Sequence, residues 1–590
     1  MKKLILLIFC LLNLSLYAQD QQLAFDYYRK GEYDKAASIF KSLYRQNNFN
    51  SNYLQRYVLC QQQLENFDEA QKSIELHLEA FPNQIHFYVE LGYNYELQYL
   101  HEEAKVEYEK ALSLLPNNLN YTYSVGRSFK NNHQLDYALK TYELATQINP
   151  NANYELQIAP IYGEKGNTEK MFNTYLDLVE KNERYGKTIL RYLSNYITED
   201  AQSIYNKQFR IAVLKRLQQS PNVAWNELLA WLYMQQKDFD KAFVQIKAVY
   251  QRNPEMLSGI SNLCNIAFDS QDYETAAKCA DFILENTTNP TEKVDANLIL
   301  LQIDIALNKN REEVSNKFDA LLTQFGVTPN TLQIQLAYAD FLTFKIDNPI
   351  DAFNVLERAL NLPLNKFQKG QTKLKIGDVL VFQGKFNEAL IYYSQVQTQL
   401  KNHQLAQEAR YKVAQTSFYK GDFDWAQTQL KVLKSATSQL IANDALDLSL
   451  IIDDNTVKDS LKLALKSYAK ADLLSYQSKN EEAIAILKEL VVNQKGHAIE
   501  DEAHYQLGLL NIKLENYNLA IQHFLTVTEL DKTDILVDDA YFQLGEIYLQ
   551  LNNTEKAKEY FQKIIFEFPS SIYLVPARRQ YRKLRGDDIQ

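Results

Sequence analysis

The chain has 590 residues, with 63 basic and 73 acidic side chains and a formal net charge of −10. A single hydrophobic core stops growing near roughly 250–300 residues, so this length implies several domains or an extended array. The acidic balance argues against nucleic acid or an anionic membrane as a partner of the whole chain. The 46% of hydrophobic residues excludes disorder, and only 16 glycines and 12 prolines favour helices joined by short turns.

At the start of the chain, Lys2 and Lys3 precede Leu4 to Leu16, which is apolar apart from Asn13 and Ser15, and Tyr17-Ala18-Gln19 follows. This stretch is too short for a permanent membrane span and has the layout of a cleaved secretory signal over residues 1–18. Export is therefore expected, to the periplasm first, with outer-membrane association or secretion as alternatives. Cys10 follows Phe9, not a small residue, which argues against a lipoprotein anchor. Cys60, Cys264 and Cys279 remain, too sparse for a disulfide framework, although Cys264 and Cys279 are spaced to meet across one helical hairpin.

From residue 31 onward a short pattern recurs: a turn residue, an aromatic, an acid, then alanine. Gly31-Glu-Tyr-Asp-Lys-Ala36 is followed by Asn66-Phe-Asp-Glu-Ala70, His101-Glu-Glu-Ala104 and Leu135-Asp-Tyr-Ala138, placing the alanines 34 residues apart. Gly92 and Gly126 precede their alanines by twelve, Tyr108 and Tyr142 follow by four, and Pro116 and Pro150 follow by twelve. Small residues let two helices approach, aromatics fill the space beside the contact, and proline ends the second helix. This pattern over Gly31–Pro150 resembles the tetratricopeptide-repeat family, whose unit is two antiparallel helices. Further anchors follow at Met171, Ala242, Ala276, Val314, Ala352, Ala389, Ala426, Ala483, Ala520 and Ala557. The expected fold is an all-α right-handed solenoid of about fourteen such hairpins.

Toward the C-terminus the step lengthens to 37, as from Ala483 to Ala520 to Ala557, which implies longer helices or loops. These last units resemble repeats of bacterial outer-membrane assembly lipoproteins and of periplasmic coordinators of cell-wall synthesis. Lys181 to Asn222 and Ala436 to Leu463 lack the alanine signature and read as joints. The expected blocks are residues 19–181, 182–361 and 362–590.

No catalytic signature is present: no Gly-x-Ser-x-Gly, no phosphate loop, no dinucleotide fingerprint. His101-Glu-Glu-Ala-Lys105 lacks the second histidine of a zinc helix, and His497, Glu500, His504 and His523 read as helix packing or solvated surface. No metal and no cofactor are expected. The basic cluster Arg578, Arg579, Arg582, Lys583 and Arg585 is a local exception to the acidic chain and reads as a solvated final helix.

The resemblance implies that positions three before and one after the small residue of each first helix face inward, toward a bound partner. In the C-terminal half the former are Leu374, Tyr411, Tyr468, Tyr505 and Phe542, and the latter are Asp378, Gln415, Asp472, Leu509 and Glu546. Aromatics suit binding surfaces, yet a stripe at helical spacing equally suits packing on the next unit. The N-terminal slots hold Gln55, Leu59, Val89, Tyr93, Tyr123 and Arg127, a mixed surface suited to an extended peptide. The lysine–asparagine–arginine carboxylate clamp of one subgroup is absent, since the matching slots hold Gln55, Leu59 and Glu90. The expected function is non-catalytic binding of proteins or peptides of the bacterial cell envelope. A glycan-binding solenoid, for which the 40 tyrosines supply stacking faces, is the alternative, ahead of an enzyme with an unfamiliar site.

Overall fold

The computed structural model describes residues 20–255, 257–433, 439–456, 462–530 and 536–586. The expected signal, residues 1–18, and parts of the stretch 436–463 lie outside the described residues. Among the described residues every regular element is a helix. The helices form antiparallel hairpins that stack in chain order.

The anchor positions are the tightest points of the stack. Ala36, Ala70, Ala104, Ala138, Ala242, Ala276, Ala352, Ala389, Ala426, Ala483, Ala520 and Ala557 are all fully buried, as is Met171. Facing them, a glycine in the first helix meets an aromatic of the second at a constant distance of sixteen residues. A Cβ on Gly92 would come 2.4 Å from Tyr108, on Gly126 2.3 Å from Tyr142, on Gly377 2.3 Å from Tyr393, on Gly508 2.6 Å from Phe524 and on Gly545 2.5 Å from Phe561. No side chain fits there, which is why these positions are small.

The same sixteen-residue contact serves both the 34- and the 37-residue units, so the added residues lie elsewhere. Second helices keep one length, 14 residues in His101–Leu114, Phe386–Gln399 and Thr554–Glu567. First helices grow, from 11 residues in His86–Glu96 to 17 in Lys366–Phe382 and 15 in Leu536–Gln550. The extra turn is added at the N-terminal end, ahead of the glycine. Each hairpin turn also carries one left-handed residue five positions before its anchor. Gly31, Gly166, Gly384 and Gly421 hold this place in four turns, and Glu65, Tyr99, His133, Lys237, Gln271, Asp347, Ser478, Glu515 and Asn552 hold it in others.

The chain packs as two compact units, one of residues 1–197 and 201–229, the other of residues 198–200 and 230–590. Their boundary lies within Val223–Gln235. Within the units, packing runs across residues 181/182 and 361/362. Ile204–Gln219 is tied back to Thr168–Lys181 by Arg216, which pairs with Asp177 and Glu180, and by Thr168 bonding Gln208. Across 361/362, Lys375 Nζ holds Asp340 Oδ2 at 2.5 Å.

Cys60, Cys264 and Cys279 are free and buried, and Cys264 Sγ donates to the Ala276 carbonyl at 3.3 Å instead of bridging Cys279. Burial pushes the Cys60 thiol up to about 12 and Cys264 to about 11, so both stay protonated and unreactive.

Candidate partner-binding face

In the first unit the first-helix face is open at one hairpin, that of Tyr123 and Arg127. Tyr123 is 53% exposed, its ring tilted against Tyr154 at 5.3 Å. Arg127, one turn further on the same helix, is exposed and makes no hydrogen bond or ion pair among the described residues. Gln55, Leu59 and Tyr93 are half-buried, and Val89 is fully buried. Glu90 faces sideways. It accepts from Ser128 Oγ at 2.8 Å and Asn132 Nδ2 at 3.3 Å in the following hairpin. Burial pushes its carboxyl up, against those two hydrogen bonds. The open patch is therefore the Tyr123 ring, backed by the buried Tyr154, beside the exposed Arg127 guanidinium, whose charge also acts on the buried Glu90 carboxyl. Such a patch can stack on a planar or apolar group and hold an anionic one.

In the second unit the corresponding slots are packed. Leu374 and Tyr468 are buried, and Tyr411, Tyr505 and Phe542 are half-buried. Phe542 stacks on Tyr573 at 4.4 Å, Tyr505 meets Phe524 edge-on at 5.5 Å, and Tyr468 lies 6.5 Å from Phe418. The stripe thus lies against neighbouring helices, the packing role that its helical spacing equally suited.

The polar slots beside it bond within the stack as well. Asp378 accepts from Tyr393 OH and from Lys412 Nζ, both at 2.7 Å. Lys412 stands 34 residues after Asp378, three short of the 37-residue step that leads from Asp378 to Gln415, so the repeat step did not reveal this pair. Burial lowers the Lys412 ammonium, but the attraction of Asp378 outweighs it and leaves its pKa raised. Two hairpins and the intervening helix Gln439–Asp454 further on, Tyr476 OH reaches the Asp378 carbonyl at 3.2 Å and Gln477 Nε2 the Phe382 carbonyl at 2.7 Å. The first helices of this unit therefore converge on one another and leave little room between them. Burial pushes Asp472 up to about 6, opposed by a hydrogen bond from Tyr419, and Asp539 up to about 7, opposed by Tyr573 OH at 2.9 Å. Gln415 and Leu509 are half-buried, and Glu546 accepts from Gln580 at 3.3 Å.

One element was not legible. Within the expected joint at 436–463, Gln439–Asp454 is a helix that packs on Phe423–Leu433, touches Gln404–Lys420 and reaches Ile499–Lys513. Gln427 donates to its Ser449 carbonyl at 3.3 Å, and Asn455, just beyond it, donates to Glu502 at 3.1 Å. Burial raises the Tyr411 phenol, with Asp444, Asp472 and Asp447 adding to the effect. Helix Gln439–Asp454 thus brings carboxylates beside a ring expected to be open. It lacks the glycine and alanine anchors, so the repeat pattern gave no sign of it.

The histidine cluster resolves into one pair. His504 Nδ1 and His523 Nδ1 share a hydrogen bond at 3.0 Å, while Glu500 accepts from the Gly496 amide at 2.5 Å. Burial holds His523 down near 4. Among the described residues no three histidines, cysteines or carboxylates converge in a way that would hold a metal, and no helix is long and apolar enough to cross a membrane.

Comparison with solved structures gives similarities that span the chain but superpose weakly. A structure of Naa15/Naa10 bound to HypK-THB covers 97% of this chain and 97% of its own, at 12% identity and a TM-score of 0.31. A crystal structure of the APC/C hetero-tetramer Cut9-Hcn1 covers 96% of each, at 13% identity and a TM-score of 0.24. At that level neither carries an argument about function. No curated protein sequence matches the chain. The tetratricopeptide-repeat family model matches residues 501–534 and 538–565, so the last two complete hairpins are similar to tetratricopeptide repeats, and their glycine–aromatic contact recurs upstream in both units.

Proposed function

We propose that this protein is a non-catalytic scaffold of the bacterial cell envelope that holds other proteins, with the first-helix face of its first unit as the binding surface. The observation that supports this most is a contrast in exposure: Tyr123 and Arg127 are open to solvent, whereas Tyr468 is buried and Phe542 is stacked on Tyr573. An exposed ring beside a free guanidinium is the composition of an interface centre. Tetratricopeptide repeats bind proteins, and the charged and apolar start of the chain supports export. The role in secretion, outer-membrane or cell-wall assembly rests on the resemblance of the C-terminal units.

The test is site-specific photocrosslinking in cells with the probe at Tyr123, and at Tyr468 as the packed control, followed by mass spectrometry. The reading expects discrete envelope proteins at Tyr123 and none at Tyr468, with Arg127→Ala weakening the Tyr123 adducts several-fold. If Tyr123 gives no adduct above an unrelated exported protein, the reading fails, and glycan binding by the exposed rings becomes the next hypothesis to test.

A further inference from the structure

The basic cluster near the C-terminus is not absorbed by the binding face. It lies on Leu574–Arg585, a helix with five cations and no acid. One side of this helix is committed to the core: Ala577 is fully buried, and Tyr581 and Leu584 pack with it against the last complete hairpin. The cations therefore cannot turn inward. Val575, Arg578 and Arg582 follow at helical spacing along the outer side, and all five basic residues are exposed.

Two of these cations have partners. Arg579 pairs with Glu199, and Arg585 lies over its own Tyr581 ring. Arg578, Arg582 and Lys583 make no hydrogen bond or ion pair with any described residue. On the same side stands Val575 at 72% exposure, and Ile572, at 67%, lies in the turn just before the helix. Unpaired cations interleaved with exposed branched apolar residues, on a helix anchored by its other face, have the composition of an interfacial lipid contact. An acidic peptide would satisfy the charges and leave the apolar side chains in water. The chain is acidic overall, and this helix is a local concentration of positive charge that an anionic surface attracts.

We propose that the outer face of Leu574–Arg585, with Ile572 beside it, docks on an anionic membrane surface and fixes which end of the protein meets the bilayer. The experiment is co-sedimentation of residues 19–590, which contain every described residue, with phosphatidylcholine vesicles carrying or lacking a minority of phosphatidylglycerol. Binding is expected only to the anionic vesicles and is lost at high salt. Arg578→Glu with Arg582→Glu weakens it by about thirtyfold or more, at roughly fivefold per charge removed. Arg578→Lys with Arg582→Lys leaves it within about twofold, because a headgroup reads charge and not guanidinium geometry. Ile572→Ser with Val575→Ser weakens it about tenfold at constant charge. Circular dichroism melts of all variants should superimpose, since the substituted side chains are exposed. The proposal is overturned if the protein stays in solution with anionic vesicles, if the charge-reversed variant binds like the parent, or if polyglutamate retains the protein and vesicles do not.

Discussion

The first-helix slots of the two units occupy the same repeat positions and differ most at one hairpin. In the first unit the 10-residue first helix Thr122–Asn131 leaves Tyr123 and Arg127 in water, while Val89 on the 11-residue helix before it is buried. In the second, first helices of 15 and 17 residues carry an extra turn, and the same slots close on neighbouring helices. Charge follows length. The second unit ties its inner face together with Asp340–Lys375 and Asp378–Lys412, while Arg127 in the first forms no ion pair among the described residues. A slot in a repeat thus specifies which way a side chain leaves its helix. Whether it meets solvent depends on how close the next helices come.

The largest effect expected to sharpen this comparison comes from the two cations. Lys412→Met strands the Asp378 carboxylate in a buried place with only Tyr393 to bond it, and should cost about 3 kcal/mol. Arg127→Ala removes an unpaired surface charge and should stay within about 0.5 kcal/mol. Urea unfolding monitored in each unit measures both. Equal costs would mean that the inner faces do not differ as described.

The next effect is pH dependence in the second unit. Asp472 and Asp539 are held above their ordinary value in the folded chain, so the folded state binds those protons more tightly than the unfolded state. Their contribution is complete below the ordinary carboxylate range near pH ~4 and is lost as pH rises through about 6 and about 7. The stability of this unit to urea should fall between about pH 4 and about pH 7, by a few kcal/mol at most. Asp539→Asn, which keeps an acceptor for Tyr573, should remove the upper part of that slope. An unchanged slope would show that other groups carry it.

The smallest effect tests where the units are alike. Tyr99 in the first and Glu515 in the second hold the left-handed place in their hairpin turns, with φ of 62° and 59°. Glycine relieves that backbone strain at the cost of a freer unfolded chain, for a net gain of about 0.5 kcal/mol. Tyr99→Gly and Glu515→Gly should therefore stabilise equally by thermal melt. A difference between them would mean that the turns, too, depend on the unit.

By itself the sequence determined the hairpin, its small–aromatic contact and its step. Ala104 with Gly92 and Tyr108, or Ala557 with Gly545 and Phe561, are local relations within one hairpin, governed by helix period and by the lack of room for a Cβ. The lengthened step at Ala483, Ala520 and Ala557 was legible too, although the structure was needed to place the extra turn in the first helix. Only the tertiary structure decided which slots stay open, that Tyr468 packs where Tyr123 does not, and that Gln439–Asp454 fills a stretch the repeat pattern left blank. The physical reason is range. Periodicity fixes a side chain's direction from its own helix, but the contacts from Tyr476 to Asp378 and from Asn455 to Glu502 join residues 98 and 47 positions apart, across hairpins whose spacing no single repeat encodes.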